Sequence, residues 1–286
     1  MRPLIDGDVL RYEIGFAAET GWQGENIPPF DYVAELLDSR IANICAIVGA
    51  TSEPIIYLTG KTNFRNDIAK KQKYKERPSI KPWHYQNLSA YLLGQYNCIV
   101  SEGMEADDLM SIEQTKSNED HSIPEKAPLQ ARTIICTRDK DLRQVEGWHY
   151  GWELGAQPQF GPELVGTVGY IRLNARRDSI KGCGYLFFLA QLLIGDRVDT
   201  VPGLPGCGAV KAFKILDGCV GIDDGIRRVI EAYRAFYGDD WEKELLEQGQ
   251  LLWMTRKLEE NGDPVLWQIP KVEMADNGQK QDLIVS

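Results

Sequence analysis

Four short segments of the 286-residue chain concentrate carboxylates beside apolar runs, which is the pattern of acids placed at the ends of strands or helices. If folding gathers these segments, the acids repel each other strongly unless a cation neutralises them. Mg²⁺ prefers oxygen ligands, and two such ions can activate a water and stabilise the leaving oxygen of a phosphodiester. The acids are Asp6, Glu105, Asp107, Asp108, Asp139, Asp141, Asp196 and Asp199, with Asp8 beside the first of them.

Each acidic segment also has an ordinary structural explanation when it is taken alone. Asp139 and Asp141 suit the cap of a helix. Asp107 and Asp108 suit a first helical turn, where the helix dipole favours negative charge. Asp196 and Asp199 suit turn positions. The joint occurrence of four such segments favours a divalent-cation site over these separate explanations.

Strands alternating with helices must position these acids. Apolar runs at residues 3–5, 54–58, 96–100 and 133–136 predict buried strands, and residues 30–50 show the apolar spacing of a helix. Such alternation predicts an α/β fold with a mainly parallel sheet flanked by helices. Because the functional crevice of an open parallel sheet lies at the carboxyl ends of its strands, we expect the acids to meet at one rim.

The last hundred residues of the chain are predicted to be mostly helical. An apolar helix at 185–194 is followed by the sequence GDRVDTVPGLPGCG and a helix at 209–216. Glycine lets backbone N–H groups approach a phosphate, and lysines one turn apart can face a nucleic-acid backbone. An ordinary loop is the alternative. The predicted DNA-binding residues here are Gly203, Gly206, Gly208, Lys211 and Lys214.

Basic residues concentrate between positions 61 and 81. This window contains eight lysines and arginines, and its acids are Asp67 and Glu76. A solvated charged face is the ordinary explanation for such a run. Nucleic-acid contact is the alternative, with Trp83, His84 and Tyr85 either stacking on bases or packing in the core.

Composition limits the class of protein. Apolar residues make up 43% and charged residues 26% of the chain, which is typical of a globular protein, and no apolar run is long enough to span a bilayer. The N-terminal apolar stretch is too short for a signal peptide, so we expect a cytoplasmic location. Six scattered cysteines predict reduced thiols, and three dispersed histidines argue against zinc. The net charge of −10 would argue against a nucleic-acid partner if the acids were spread evenly.

The motifs LIDGDVL, EADDLM, CTRDKDL and IGDRVDTVPGLPGCGAVKA resemble, in order, those of the 5′ nuclease (flap endonuclease) superfamily, most of all the 5′-to-3′ exonucleases of bacteriophages. The resemblance runs from about residue 4 to residue 217. It implies a PIN-like fold in which the eight acids bind two or more Mg²⁺ ions, with Mn²⁺ as a substitute. It also implies a helix–three-turn–helix at 186–217 that holds duplex DNA, often with a bound K⁺.

The resemblance assigns the basic window to a segment that leads into a helical arch over the active site. It implies that Lys75 and Arg77 neutralise the scissile phosphate, and that Arg65, Lys70, Lys71 and Tyr74 contact DNA. The chain departs from the pattern in two places: Thr200 and Val201 follow the last DxxD, where relatives often have an Asn, and the second strand is not followed by an acid. Many relatives carry an acid after the second strand, whereas residues 58–65 (LTGKTNFR) contain none.

The implied activity is hydrolysis of DNA from a 5′ end, a nick or a flap, in DNA replication and in the host cytoplasm if a phage encodes the protein. Cutting of RNA in RNA–DNA hybrids stays open. We expect a catalytic region at 1–184, a helical DNA-binding region at 185–270 and a polar tail at 271–286. Two rivals remain: a haloacid-dehalogenase-like phosphatase, because LIDGDVL fits its nucleophile pattern, and a non-catalytic protein that binds branched DNA.

Overall fold

The computed structural model describes residues 1–23, 27–75, 80–120 and 132–273. One six-stranded sheet and one two-stranded sheet are surrounded by helices. The strands are β1 (Arg2–Asp6), β2 (Ile55–Leu58), β3 (Cys98–Val100), β4 (Thr133–Cys136), β5 (Gly147–Gly151), β6 (Phe160–Val165), β7 (Tyr170–Leu173) and β8 (Ile180–Cys183). The helices are α1 (Gly7–Gly21), α2 (Phe30–Ile47), α3 (Arg65–Ile68), α4 (Tyr85–Gln95), α5 (Ala106–Asp120), α6 (Gly184–Ile194), α7 (Ala209–Leu216), α8 (Gly221–Tyr237) and α9 (Trp241–Leu252).

The large sheet has the strand order β3-β2-β1-β4-β5-β6. Strands β1 to β5 pair in parallel, and β6 adds to the edge in the antiparallel direction. The predicted mainly parallel α/β fold is therefore confirmed. The chain leaves β1 for β2 on one side and later returns to β4 on the other, so the strand order reverses between β1 and β4. Crevices that bind ligands form at such switch points, beyond the carboxyl ends of the strands.

Both faces of the sheet are covered, which explains why its central strands are continuously apolar. Ile5 on β1 packs in the core shared with α1, α2 and α4. Its neighbour Leu4 points to the opposite face and packs with Met110 of α5. This alternation fixes the register of β1, and with it the position of Asp6 at the end of the strand.

Helices α6 to α9 form a separate core that also receives residues from β7 and β8. The small β7–β8 sheet was not predicted from the sequence. In the part of the chain that the structure describes, no helix is long and apolar enough to cross a membrane. The domain boundary at residue 184 stays a prediction, and the expected polar tail lies outside the described residues from 274 onward.

Candidate active site

The switch point of the sheet places Asp6 beside the end of β4. Asp6 is 2% exposed and caps α1, because its Oδ1 accepts a hydrogen bond from the Val9 N–H at 3.0 Å. The Thr137 hydroxyl, just after β4, donates to Asp6 Oδ2 at 2.7 Å. Two strands distant in sequence thus bring their polar ends together where a parallel sheet is expected to bind a ligand.

The loop after β4 carries two further acids. The Asp139 N–H donates to the Thr137 hydroxyl at 2.9 Å, and the Asp141 N–H donates to Asp139 Oδ1 at 2.7 Å. Asp141 begins a short 3₁₀ turn, and its Oδ1 accepts a hydrogen bond from Gln191 of α6 at 2.5 Å. The loop is therefore held rigidly between the sheet and the helical region.

The start of α5 brings in the third acidic segment. The Ala106 N–H donates to the Thr59 hydroxyl at 2.9 Å, which ties the first turn of the helix to the end of β2. Glu105 accepts a hydrogen bond from the Tyr74 hydroxyl at 3.0 Å and forms an ion pair with Lys75. Asp107, on the same turn, is half-buried and faces the acids of β1 and β4.

The loop after α6 adds the fourth segment. Asp196 Oδ1 accepts hydrogen bonds from the Val198 N–H at 2.7 Å and the Asp199 N–H at 3.3 Å, which closes the turn. Asp199 Oδ2 lies 3.2 Å from the Tyr74 hydroxyl, and Lys75 Nζ lies 3.6 Å from Asp199 Oδ1. Tyr74 and Lys75 therefore connect the acids of α5 with those of this loop.

Three acids at the centre of this arrangement carry an unfavourable concentration of negative charge. Burial and the neighbouring Asp8 raise the pKa of Asp6 to about 6. Burial and repulsion from Asp141 raise the pKa of Asp139 to about 8. Burial, followed by repulsion from Asp6 and Asp139, raises the pKa of Asp107 well above its ordinary value. We call Asp6, Asp107 and Asp139 the central acids.

Two lysines compensate the acids on either side of the central acids. Lys75 Nζ bridges Glu105 and Asp199, while Lys140 Nζ pairs with Asp196 and lies 3.1 Å from Asp141 Oδ1. Although its burial opposes ionisation, the pairing with Lys140 keeps the pKa of Asp196 below its ordinary value. The pKa of Asp199 is raised to about 6, because burial outweighs the attraction of Lys75.

The donor set fits a divalent cation in its chemistry. Carboxylate oxygens are the ligands that Mg²⁺ prefers, and the repulsion among the central acids is what a bound cation would relieve. Within the described ranges, no three acidic, histidine or cysteine side chains are drawn together closely enough to enclose an ion in this conformation. In this conformation Lys75 and Lys140 each pair with two of the flanking acids.

Asp108 and Arg65 differ from what the sequence predicts. Asp108 is expected to bind metal and Arg65 to contact DNA, but both are completely buried and bind each other. The two guanidinium–carboxylate hydrogen bonds measure 2.5 and 2.8 Å, and Arg65 also donates to the carbonyls of Leu251 and Trp253. This correction has a simple cause: Arg65 lies under α5 and α9, where neither solvent nor a nucleic acid reaches it.

Asp108 also accepts hydrogen bonds from two backbone N–H groups, those of Glu105 at 3.2 Å and Thr255 at 3.0 Å. Burial alone would raise the pKa of Asp108, but Arg65 and these hydrogen bonds hold it below the ordinary value. Asp108 is thus an ionised, fully paired structural carboxylate that fixes the first turn of α5.

The remaining predicted residues of the basic window divide into three groups. Tyr74 is expected to contact DNA, but its side chain is 4% exposed and its hydroxyl donates a hydrogen bond to Glu105. The structure therefore corrects that role. Lys70 and Lys71 are exposed, and their backbone N–H groups donate to Glu247 of α9. Lys75 lies among the acids, and Arg77 lies outside the described residues.

The loop between α6 and α7 has the predicted helix–turns–helix arrangement. Gly203 has a positive φ of 70°, and a Cβ atom there would lie 2.3 Å from the backbone N of Gly195. Packing within the loop therefore requires a glycine at position 203. Gly206 and Gly208 are exposed, as are Lys211 and Lys214 one turn apart on α7, so these four can be reached by a phosphate backbone.

Three polar residues at the site were not singled out from the sequence. Thr137 binds Asp6, Lys140 bridges two acids, and Gln191 binds Asp141. Thr137 and Lys140 stand inside the CTRDKDL motif, so their positions beside the acids were visible in the sequence. Gln191 gave a weaker signal, because it is the single amide in an otherwise apolar helix.

Comparison with known proteins gives one sequence relative and several structural ones. DNA polymerase I of Pseudomonas aeruginosa is 32% identical over 126 residues, covering 42% of this chain and 11% of the relative. The chain therefore spans about a tenth of the length of that relative. No protein-family model matches the chain.

Solved structures with a similar chain path include a T5 protein co-crystallised with metal ions (TM-score 0.47, 14% identity, 87% of this chain and 98% of that one). A T5 5′-exonuclease mutant has a TM-score of 0.46 at 14% identity, with 88% of this chain and 100% of that one covered. The catalytic core of Rad2 in complex with DNA substrate has a TM-score of 0.42 at 13% identity, covering 84% and 66%.

The T5 5′-exonuclease among these structures is of the class that the four sequence motifs resemble. The mainly parallel sheet and the helices that follow it agree with the fold class predicted from the sequence.

Proposed function

We propose that this protein is a divalent-metal-dependent 5′ nuclease that hydrolyses DNA phosphodiesters. The observation that carries the proposal is the gathering of the central acids, Asp6, Asp107 and Asp139, at the switch point of the sheet, where burial and neighbouring carboxylates raise their pKa values. Such clustered, perturbed carboxylates are typical of functional sites. A phosphatase that used only the first motif would leave Asp107 and Asp139 without a role.

The central acids, with the flanking Glu105, Asp141, Asp196 and Asp199, are the residues that would hold Mg²⁺ or Mn²⁺. When bound, the cations supply Lewis acidity for hydrolysis of a phosphodiester. Thr137 orients Asp6, and Gln191 orients Asp141, each through a hydrogen bond to one carboxylate oxygen. Asp108 does not belong to this set, because Arg65 and two backbone N–H groups occupy its oxygens.

Lys75 and Lys140 supply positive charge at the edge of the acids. Their side chains are 43% and 52% exposed, so their ammonium groups can exchange a carboxylate for a DNA phosphate. Each lysine thereby reduces repulsion between the acidic rim and the anionic substrate. Lys75 would therefore neutralise the scissile phosphate, as predicted from the sequence. Lys140 would contribute in the same way.

Lys211 and Lys214 on α7, with the exposed backbone of Gly206 and Gly208, form the proposed duplex-binding surface. Contacts to phosphates position DNA without encoding its sequence, so the proposed nuclease acts on DNA ends or branches of any sequence. The 5′ polarity rests on the resemblance to the 5′ nucleases. RNA in RNA–DNA hybrids is a further substrate to be compared in the same assay.

A duplex labelled separately at its two ends tests the proposal. With Mg²⁺, we expect label at the 5′ end to be released as mononucleotides or short oligonucleotides before label at the 3′ end of the same strand. Asp139→Asn should abolish release. The matched control is Asp31→Asn, which removes an exposed acid from the first turn of α2. Degradation from 3′ ends, or cutting at one internal sequence only, would refute the proposed function.

A further inference from the structure

The end of β2 lacks an acid, and at Gly60 it has no room for a side chain. The chain contains no carboxylate between Leu58 and Phe64, although many relatives of the 5′ nucleases carry one there. Gly60 lies against the end of β3, and a Cβ atom at Gly60 would come 2.0 Å from the carbonyl oxygen of Ser101. A carboxylate can therefore reach this part of the site only from another element.

Asp8 reaches it from the first turn of α1. Its two carboxylate oxygens lie 3.2 and 3.1 Å from the backbone N of Thr59, the first residue after β2. Asp8 is also two residues after Asp6, on the side of the switch point that faces β2 rather than β4. The Asp8 carboxylate thus lies across the strand end where this chain has no acid of its own.

The surroundings of Asp8 leave it free to bind a cation. A carboxylate has about four lone-pair positions. Oδ1 accepts from Thr59 and from Arg11, whereas Oδ2 accepts only from Thr59 among the described residues. The side chain is 28% exposed, so it is open to an ion from solvent. Arg11 is held in place by Ser89 and by the ring of Tyr85, and it compensates the charge of Asp8 from one side only.

We propose that Asp8 replaces the missing carboxylate after β2 and is a ligand of the divalent cation, together with Asp6. This inference rests on the proposed function, because it adds a residue to the proposed metal site. The competing explanation is structural: Asp8 would merely stabilise the start of α1 through the helix dipole and the ion pair with Arg11.

Binding of Mn²⁺ to the full-length protein without DNA separates the two explanations, measured by titration calorimetry or by the EPR signal of free Mn²⁺. Asp8→Asn keeps an oxygen for the Thr59 N–H but loses the charge. It should weaken Mn²⁺ binding by about tenfold or more. Asp8→Glu should bind more tightly than Asp8→Asn. Arg11→Gln should bind at least as tightly as the wild type, since it removes a competing cation. Asp31→Asn controls for loss of an acid at a helix start.

Thermal unfolding in EDTA shows whether each variant folds. A folded Asp8→Asn variant with unchanged Mn²⁺ affinity would overturn the inference and leave the proposed function intact. Equal losses of Mn²⁺ affinity in Asp8→Asn and Arg11→Gln, each with a lower melting temperature in EDTA, would assign Asp8 a structural role and also overturn the inference. If the wild type itself bound no Mn²⁺, the proposed function would fail as well.

Discussion

Asp108 and the central acids are carboxylates in neighbouring parts of the fold with opposite surroundings. Asp108, under α5, is paired with Arg65 and has its pKa held low. The central acids, at the open rim of the sheet, repel each other and have their pKa values raised. Asp107 and Asp108 are adjacent in sequence, yet they belong to different groups because successive residues of a helix point in different directions.

The contrast separates structural from functional carboxylates. A buried acid that stabilises the fold is paired with a positively charged side chain, as Asp108 is with Arg65. The central acids have no such partner among the described residues, so the fold maintains a repulsion that lowers its own stability. A site that retains this cost is a candidate for binding a cation or a reacting group from solution.

The largest expected effect is on cleavage by Asp107→Asn. Removing one of the central acids should lower the rate of Mg²⁺-dependent cleavage at least about a hundredfold, since even outer partners of metal sites contribute up to that factor. Stability in EDTA should stay the same or rise, because a repulsive charge is gone. Single-turnover cleavage and thermal unfolding measure the two quantities. Full activity in this variant would remove Asp107 from the site.

Asp108→Asn makes the same chemical change one residue later and should have the opposite result. It removes the closest counter-ion of the buried Arg65 guanidinium and leaves only Glu105 at 3.4 Å among the described acids, which costs about 3–5 kcal/mol of the free energy of unfolding. Urea denaturation in EDTA measures this loss, with Asp107→Asn as the control. A stability equal to that of the wild type would mean that the two acids do not differ in the way the structure shows.

The stability of the metal-free protein should fall as pH rises from about 6.5 to 8. Asp139 has a pKa of about 8 in the folded protein and near 4 when unfolded, so the folded state holds more protons in this range. His149 has its pKa in the folded protein lowered to about 3, so it changes the stability only below about pH 6.5. Melting temperatures in EDTA should show the fall, and Asp139→Asn should reduce it. A wild-type stability that increases over this range would contradict the prediction.

The smallest expected effect concerns duplex binding away from the acids. Lys211→Ala should reduce the slope of log affinity against log salt by about one, because one phosphate contact is lost. Lys243→Ala removes another exposed lysine, from α9, and serves as the control. Equal slopes for the wild type and Lys211→Ala would show that Lys211 faces solvent in the complex.

The sequence predicted the sheet and its rim well because both depend on local patterns. Apolar runs ending in acids determine where strands end, and parallel pairing then brings those ends together, as Asp6 and Thr137 show. The same patterns indicated the loop between α6 and α7. These features require no knowledge of which residues far apart in sequence become partners.

The roles of Arg65 and Tyr74 could not be predicted in this way. Both stand in a basic window that resembles a DNA-contacting segment, so charge and composition favoured exposure. Burial of Arg65 depends on the carbonyls of Leu251 and Trp253, almost two hundred residues later. Partners at that separation are set by tertiary packing, which the local sequence does not encode.

Metal dependence of cleavage tests the central claim most directly. A duplex with a labelled 5′ end should be degraded by the wild type in Mg²⁺ or Mn²⁺, and degradation should stop on addition of EDTA and resume when the cation is restored in excess. Duplex binding, measured in parallel, should persist in EDTA, because Lys211 and Lys214 lie outside the acidic rim. Undiminished cleavage in EDTA would contradict the account of the central acids as a site for a divalent cation.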